Sequence, residues 1–202
     1  MNKNKNMWIM VLLLIGFVGF IWIQLVVLPN KNQAEERYAK EQLNPLTQDF
    51  NYIAKYESDY LGDNSNTFNL FRSLPMTQDE MTFQLYPEEL GVEVHYPTTL
   101  SESTHSTITT DKDNEYGQDE VLIAYRTLLY NATAGFALIK NMDQLTLEFQ
   151  DNVFEFKRSD FKSKYSNLDQ LLDENMWTQE VQQPLEDDQY VEETFEELAI
   201  IH

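Results

Sequence analysis

Gln118–Asn141, QDEVLIAYRTLLYNATAGFALIKN, is the stretch from which the rest of the chain can be read. Val121, Tyr125, Leu128, Leu129, Ala132, Phe136 and Ile139 recur at steps of three and four, so a helix gathers them into one apolar stripe. Gly135 interrupts that pattern at a cost of about 1 kcal/mol relative to Ala, acceptable where another element must approach closely. The spacing predicts a core helix, with Gln118 or Asp119 near its start and Asn141 near its end.

The segments on either side change period. Downstream, Gln144–Phe149 (QLTLEF) and Val153–Lys157 (VFEFK) alternate around Gln150-Asp151-Asn152, the pattern of an antiparallel hairpin. Upstream, Met81–Tyr86 (MTFQLY) and Val92–Tyr96 (VEVHY) alternate around a Pro87–Gly91 turn. Val92, Val94 and Tyr96 then face inward, and Glu93 and His95 face solvent. The expected architecture is α+β, with antiparallel hairpins packed on a long core helix.

Pro97–Gly117 is a hydrophilic insertion whose middle, Thr104–Thr110, suits an edge strand because Thr favours strands. Asp111, Asp113 and Glu115 place side-chain oxygens at alternate positions, as a calcium loop does. The sixth and twelfth positions hold Tyr116 and Leu122 where that loop needs Gly and Glu. These three acids are cation ligands only as a partial match, in a solvated loop, and no metal or cofactor is expected.

Phe50–Leu61 mixes a short helix with an extended entry to the domain. Gly62-Asp63-Asn64-Ser65-Asn66 is a dense turn that leads into a helix over Thr67–Leu74, stopped by Pro75. An Asp or Asn there caps the helix; Gly62, Asp63 and Asn64 are also the candidate ligand- or partner-binding residues. Beyond the second hairpin, Ser159 is expected to cap Asp160–Lys164, and Asn167 or Leu168 to begin a helix through Leu172. From Gln182 the chain is dominated by acids, a composition that reads as solvated or disordered. Tyr190, Phe195, Leu198, Ile200 and Ile201 interrupt it and suit docking on a partner.

At the other end, Met7–Leu28 (MWIMVLLLIGFVGFIWIQLVVL) contains one polar residue, Gln24, and no charge. As a helix it is roughly 33 Å long, close to the ~30 Å hydrocarbon thickness of a bilayer. A cleaved signal has an apolar core of about 7–15 residues followed by small residues, whereas the exit here is Leu25-Val26-Val27-Leu28-Pro29. An uncleaved anchor in the lipid bilayer is expected. Gly16 and Gly19 are three apart, so no GxxxG dimer seam is present. Lys3 and Lys5 flank one end, and Lys31, Arg37 and Lys40 the other, so basic residues alone do not orient it. The short head before a first apolar segment does, placing the N-terminus inside and the domain outside. The expected order is a cytoplasmic head (1–6), a transmembrane anchor (7–28), a juxtamembrane spacer (29–46), an extracytoplasmic domain (47–180) and an acidic tail (181–202), in a single-pass protein of the bacterial cell membrane.

Thirty-four Asp and Glu against 14 Lys and Arg give a net charge of −20, which repels nucleic acid and leaves cationic partners and divalent ions. Without cysteine there is no disulfide, thiol nucleophile or Cys-based zinc site. The histidines are His95, His105 and His202. Ser103 and Ser106 neighbour His105, but in a loop nothing fixes them as a triad requires. There is no phosphate-cradling glycine loop and no HExxH, and Asn131-Ala132-Thr133 falls on the core helix rather than a glycosylated loop. No catalytic residues, and no enzyme, are expected.

Tyr60–Pro75 (YLGDNSNTFNLFRSLP), Asn131–Phe149 (NATAGFALIKNMDQLTLEF) and Arg158–Leu172 (RSDFKSKYSNLDQLL) together resemble the domain-of-unknown-function family DUF4825 of Gram-positive bacteria. The distinctive parts are GDN-x9-LP and NA-x3-FALI-x-N, within a resemblance over roughly residues 55–175. Lys140 departs from it, standing where the family carries an acidic residue, and the Ser/Thr insertion is longer. The resemblance implies an extracytoplasmic α+β module behind an N-terminal anchor or lipoprotein signal, and transfers no catalytic or ligand-binding residue. The leading functional expectation is a non-enzymatic, membrane-tethered binding or sensor-like module with an envelope protein or cell-wall partner. An accessory subunit of an envelope membrane-protein complex is the alternative, and a carboxylate-based envelope hydrolase the third.

Overall fold

Strand-period segments on both sides of a long apolar helix leave one way to bury all of them, with the strands in a single sheet and the helix against it. The computed structural model, which describes residues 3–22, 28–108, 120–165 and 167–202, has this arrangement. The chain divides into two units, Met1–Lys40 and Glu41–His202.

The first unit holds α1 (Lys3–Trp22) and α2 (Leu28–Glu41). Met7, Trp8, Leu12, Leu13, Phe17, Phe20 and Trp22 are each more than half exposed, so the described side chains of α1 leave an apolar surface uncovered. Among the described residues no helix is long and apolar enough to cross a membrane. Residues 23–27 of the expected anchor Met7–Leu28 lie outside the described residues. The polar α2 is exposed, with Lys31 and Glu35 paired one turn apart at 3.6 Å.

In the second unit, α3 (Phe50–Ala54) is capped by Asp49, and α4 (Asn64–Ser73) starts earlier than the Thr67 expected. Next come β1 (Thr82–Tyr86) and β2 (Gly91–His95), then α5 (Leu100–Ile108) and the core helix α6 (Glu120–Leu138). Strands β3 (Gln144–Glu148) and β4 (Val153–Lys157) lead directly into α7 (Arg158–Lys164). The helix expected from Asn167 or Leu168 through Leu172 is a 3-10 turn, Leu168–Leu172, capped by Asn167. The short α8 (Glu174–Trp177) and a π-helical turn, Thr178–Gln182, precede α9 (Asp188–Leu198) and β5 (Ala199–Ile201).

The five strands lie in chain order, β1-β2-β3-β4-β5. Both expected hairpins form, but the sheet is mixed rather than wholly antiparallel: β2 and β3 are parallel, with Val92 opposite Leu145 and Val94 opposite Leu147. The connection between them carries α5 and α6, the long crossover that parallel neighbours require. Leu90, left-handed at φ 52°, closes the first hairpin, and its carbonyl accepts the amides of Asp143 (2.8 Å) and Gln144 (3.3 Å). That contact sets where β3 begins against β2.

Helix α6 is buried without a break from Arg126 to Leu138. A single apolar stripe understates it, because α4, α5, α7 and α9 all pack on it. Gly135 serves close approach as expected: a Cβ there would lie 2.8 Å from the Met142 methyl and 3.3 Å from the Phe71 ring. The last carbonyls of α6 need donors, as helix ends do. Arg158 supplies one for Phe136, donating from Nη1 to its oxygen (2.5 Å) and to those of Ile139 (3.3 Å) and Met142 (3.4 Å) just beyond the helix. This inward pull starts α7 at Arg158, so Ser159 is not the expected cap: its hydroxyl donates to Asp160, and the cap position, Lys157, makes no side-chain bond.

Two further expectations are corrected. The stretch read as an edge strand from Thr104 is helical through Ile108, while Thr109 and Thr110 lie outside the described residues. Thr99 and Glu102 form a capping box: the Thr99 hydroxyl accepts the Glu102 amide at 3.3 Å, and the Glu102 carboxylate accepts the Thr99 amide at 3.1 Å. Thr104 bonds back to the Leu100 carbonyl at 2.8 Å, satisfying its hydroxyl inside a helix.

The segment from Gln182 is likewise no separate acidic tail but part of the domain core. Val191, Phe195 and Leu198 are buried, and β5 adds the fifth strand against β4. The Phe195 ring stacks on Tyr125 with centroids 3.8 Å apart and meets Phe154 and Phe156 edge-on. The acids occupy the opposite, exposed side, and Asp188 pairs with the buried Arg126 at 2.5 Å. Apolar residues at helical spacing outweigh the charge count.

A buried amide network closes the entrance to the domain. Gln48 donates to the Gln42 and Ser73 carbonyls, both at 2.7 Å, and accepts from the Tyr130 hydroxyl at 3.0 Å. Gln182 donates to the carbonyls of Pro45 (3.2 Å) and Gln48 (3.0 Å).

Candidate functional site

Alternation in β2, β3 and β4 sends Val92, Val94, Leu145, Leu147, Phe154 and Phe156 into the core, leaving Glu93, His95, Thr146, Glu148 and Glu155 on the open face of the sheet. The parallel register sets His95 directly opposite Glu148, and Glu93 opposite Thr146. His95 Nδ1 lies 2.7 Å from Glu148 Oε2, and Nε2 lies 3.9 Å from Glu93 Oε2. The Tyr86 hydroxyl on β1 donates to Glu93 at 2.7 Å. That hydrogen bond, reinforced by desolvation and by the charges of Glu93, Glu89 and Glu148, raises the Tyr86 pKa. Further along the same face, His202 Nε2 is 3.4 Å from Glu155, which also pairs with Lys157 at 3.2 Å. Both histidines whose side chains are described therefore sit on this face against glutamates. Glu93 and His95 stand on the solvent face as expected, with half-buried side chains.

The candidates taken from sequence lie elsewhere. Gly62 and Asp63 form the turn before α4, and Asn64 is its first residue. Asp63 caps the helix, its carboxylate accepting the Asn66 amide at 3.2 Å. Gly62 has no positive φ and open space where a Cβ would stand, so neither backbone nor packing demands glycine. An open groove of about 490 Å³ between α4 and β1 is lined by Ser65, Phe68, Asn69, Arg72 and Phe83, and by none of the three. Asp111, Asp113 and Glu115 lie outside the described residues. The structure does not bring Gly62, Asp63 or Asn64 to the open sheet face.

The sequence shows Glu93, His95 and Glu148 at outward positions of their strands but not that the strands adjoin. Parallel pairing is the missing signal, because the two strands are separated by two helices.

Lys140, the departure from the family pattern, is held between Asp59 (2.8 Å) and Glu57 (2.9 Å), and these hydrogen bonds, Asp59 first, raise its pKa. A cation at this position is matched by acids on the facing segment. The backbone beside it is bridged to Ser58, which donates to the Leu138 carbonyl at 2.8 Å and accepts the Lys140 amide at 2.9 Å.

No curated protein and no solved structure matches the chain. A family model does, that of a domain of unknown function, DUF4825, over residues 53–162. This region runs from α3 into α7 and contains Glu93, His95 and Glu148. Because the match spans more than half of the sequence and includes four of the five strands, the chain belongs to the DUF4825 family.

Proposed function

We propose that this protein is a non-enzymatic binding module tethered to the bacterial cell membrane through residues 7–28. Its N-terminus lies inside, and its domain outside presents the open sheet face to a cationic component of the envelope. The observation that carries the reading is the composition of that face, where Glu93, Glu148 and Glu155 gather around histidines and a tyrosine on rigid strands. An acidic face on a chain of net charge −20 selects cationic ligands through the summed field. The anchor is supported by α1, whose exposed apolar residues need an apolar environment.

Crosslinking of the full chain in cells tests the reading. Recovery of cationic envelope material by the native chain, lost in Glu148→Lys with the fold retained, is the expected result. A recurrent protein partner that is lost when the anchor is swapped for an unrelated one supports the accessory-subunit alternative instead, and no capture at all overturns both. Protease applied to intact cells should digest the domain; survival until lysis reverses the orientation.

A further inference from the structure

One carboxylate oxygen of Glu93, one ring nitrogen of His95 and one carboxylate oxygen of Glu148 all lie within 4.8 Å of one another. We infer that these three side chains form a divalent-cation site, an inference that rests on the open face being the binding surface and names its ligand class.

Four observations carry it. An imidazole with two carboxylates is a mixed nitrogen–oxygen donor set, suited to Zn²⁺ or Mn²⁺ rather than to an all-oxygen calcium site. The ligands stand on the paired strands β2 and β3, with His95 and Glu148 in direct register, so their Cα positions are fixed before any ion arrives. Metal bonds of about 2.0–2.2 Å call for donors nearer together than 4.8 Å, a gap to be closed by turning the two half-exposed glutamate side chains. Tyr86 holds one of the carboxylates by a 2.7 Å hydrogen bond, the outer-shell support that ligating carboxylates receive.

Electrostatics point the same way. Among the described residues no lysine or arginine pairs with Glu93 or Glu148; the one ion-pairing group they share is His95. Other acids of the domain do pair with permanent cations, as Glu57 and Asp59 do with Lys140, and Asp188 with Arg126. Two carboxylates sharing one imidazole leave net negative charge on the face, which a dication neutralises. The ligands are half-exposed, with side-chain exposures of 24% for Glu93, 37% for His95 and 41% for Glu148. The ion therefore keeps open positions towards solvent, as a site holding a second ligand must.

The test is a titration of the chelator-stripped full chain in detergent with Zn²⁺, and in parallel with Mn²⁺, read by calorimetry. One saturable equivalent of at least one of the two ions per chain is expected. His95→Ala should weaken binding at least 100-fold, and Glu93→Gln and Glu148→Gln at least tenfold each. Tyr86→Phe should weaken it about tenfold, as loss of an outer-shell partner does. His95→Gln, with a similar-sized polar side chain, and circular dichroism of each variant separate lost binding from lost folding. The triple variant Asp111→Asn, Asp113→Asn, Glu115→Gln should bind as the native chain does. Binding that survives His95→Ala, disappears in that triple variant, or occurs only as many weak equivalents overturns the site. Envelope capture without cation binding also overturns it while leaving the binding-module reading intact. Saturable cation binding without envelope capture overturns that reading and supports the site.

Discussion

Leu61 and Asn141 are joined across 80 residues of sequence: the Leu61 amide donates to the Asn141 side-chain oxygen at 2.6 Å. At the other end of the same two segments, Asn131 donates to the Pro75 carbonyl at 2.9 Å. The GDN-x9-LP segment is thus fastened at both ends by asparagines of the NA-x3-FALI-x-N segment, one within the core helix and one just past its end. Pro75 precedes Met76, a buried residue in left-handed conformation at φ 68°, and the Asn131 bond helps hold that unfavourable backbone in place.

Removing either asparagine leaves a backbone group without its partner. Asn141→Ala and Asn131→Ala are each expected to lower stability by about 1–3 kcal/mol, with the larger loss for the buried Asn131. Urea denaturation of the full chain in detergent measures this; an unchanged midpoint for Asn131→Ala would refute the fastening role.

Arg158 is the donor for three carbonyls, one in the last turn of α6 and two just beyond it. Arg158→Met keeps the apolar stem and removes the charge, and should cost about 2–4 kcal/mol. Arg158→Lys should rescue little, because all three bonds come from Nη1 and the lysine nitrogen ends one bond short of that position. Equal stability of the Lys variant and the native chain would show that charge alone matters.

Phe195 fastens α9 to the sheet, and Phe195→Ala should cost about 3–5 kcal/mol, since its ring fills the space between Tyr125, Phe154 and Phe156. Hydrogen exchange should rise in β5 and in the β4 amides that pair with it. Protection unchanged in both strands would mean that α9 is dispensable to the sheet.

Alkaline conditions should destabilise the domain through its buried phenols. Burial holds the Tyr96 and Tyr130 hydroxyls well above the usual 10.0, because the charged form is the one penalised. A raised folded-state pKa gives a contribution complete below about pH 10 and lost as the pH climbs beyond it, at about 1.4 kcal/mol per pH unit per tyrosine. Tyr96→Phe should flatten the decline measured by denaturant midpoints across this range. Parallel declines in the variant and the native chain would exclude Tyr96 as a cause.

Elements dictated by local period were legible in the sequence. The core helix, both hairpins and the helical turn through Leu172 follow from spacing and turn chemistry over a few residues. What was not legible is non-local. Nothing within β2 or β3 announces that they pair in parallel, and that pairing alone makes Glu93, His95 and Glu148 neighbours. Two misreadings had a local signal that composition concealed. Thr99-Leu100-Ser101-Glu102 is a capping box inside a Thr-rich run, and Val191, Thr194, Phe195 and Leu198 follow helical spacing beneath a dense acidic surface. The Gly62–Asn66 turn was readable as a helix start, which is the role Asp63 has.

The glutamine network at the domain entrance has a mechanical consequence. Gln182 is bonded to Pro45 and Gln48, and Gln48 in turn to Ser73 and Tyr130. Tension arriving along the chain at Glu41 is shared at once with three distant segments, those of Ser73, Tyr130 and Gln182, so α3 cannot peel away first. Such a mounting resists load in shear, and single-molecule pulling from the N-terminal side should record one rupture for the whole domain. An early, separate release of α3 would show that the clasp does not bear the load.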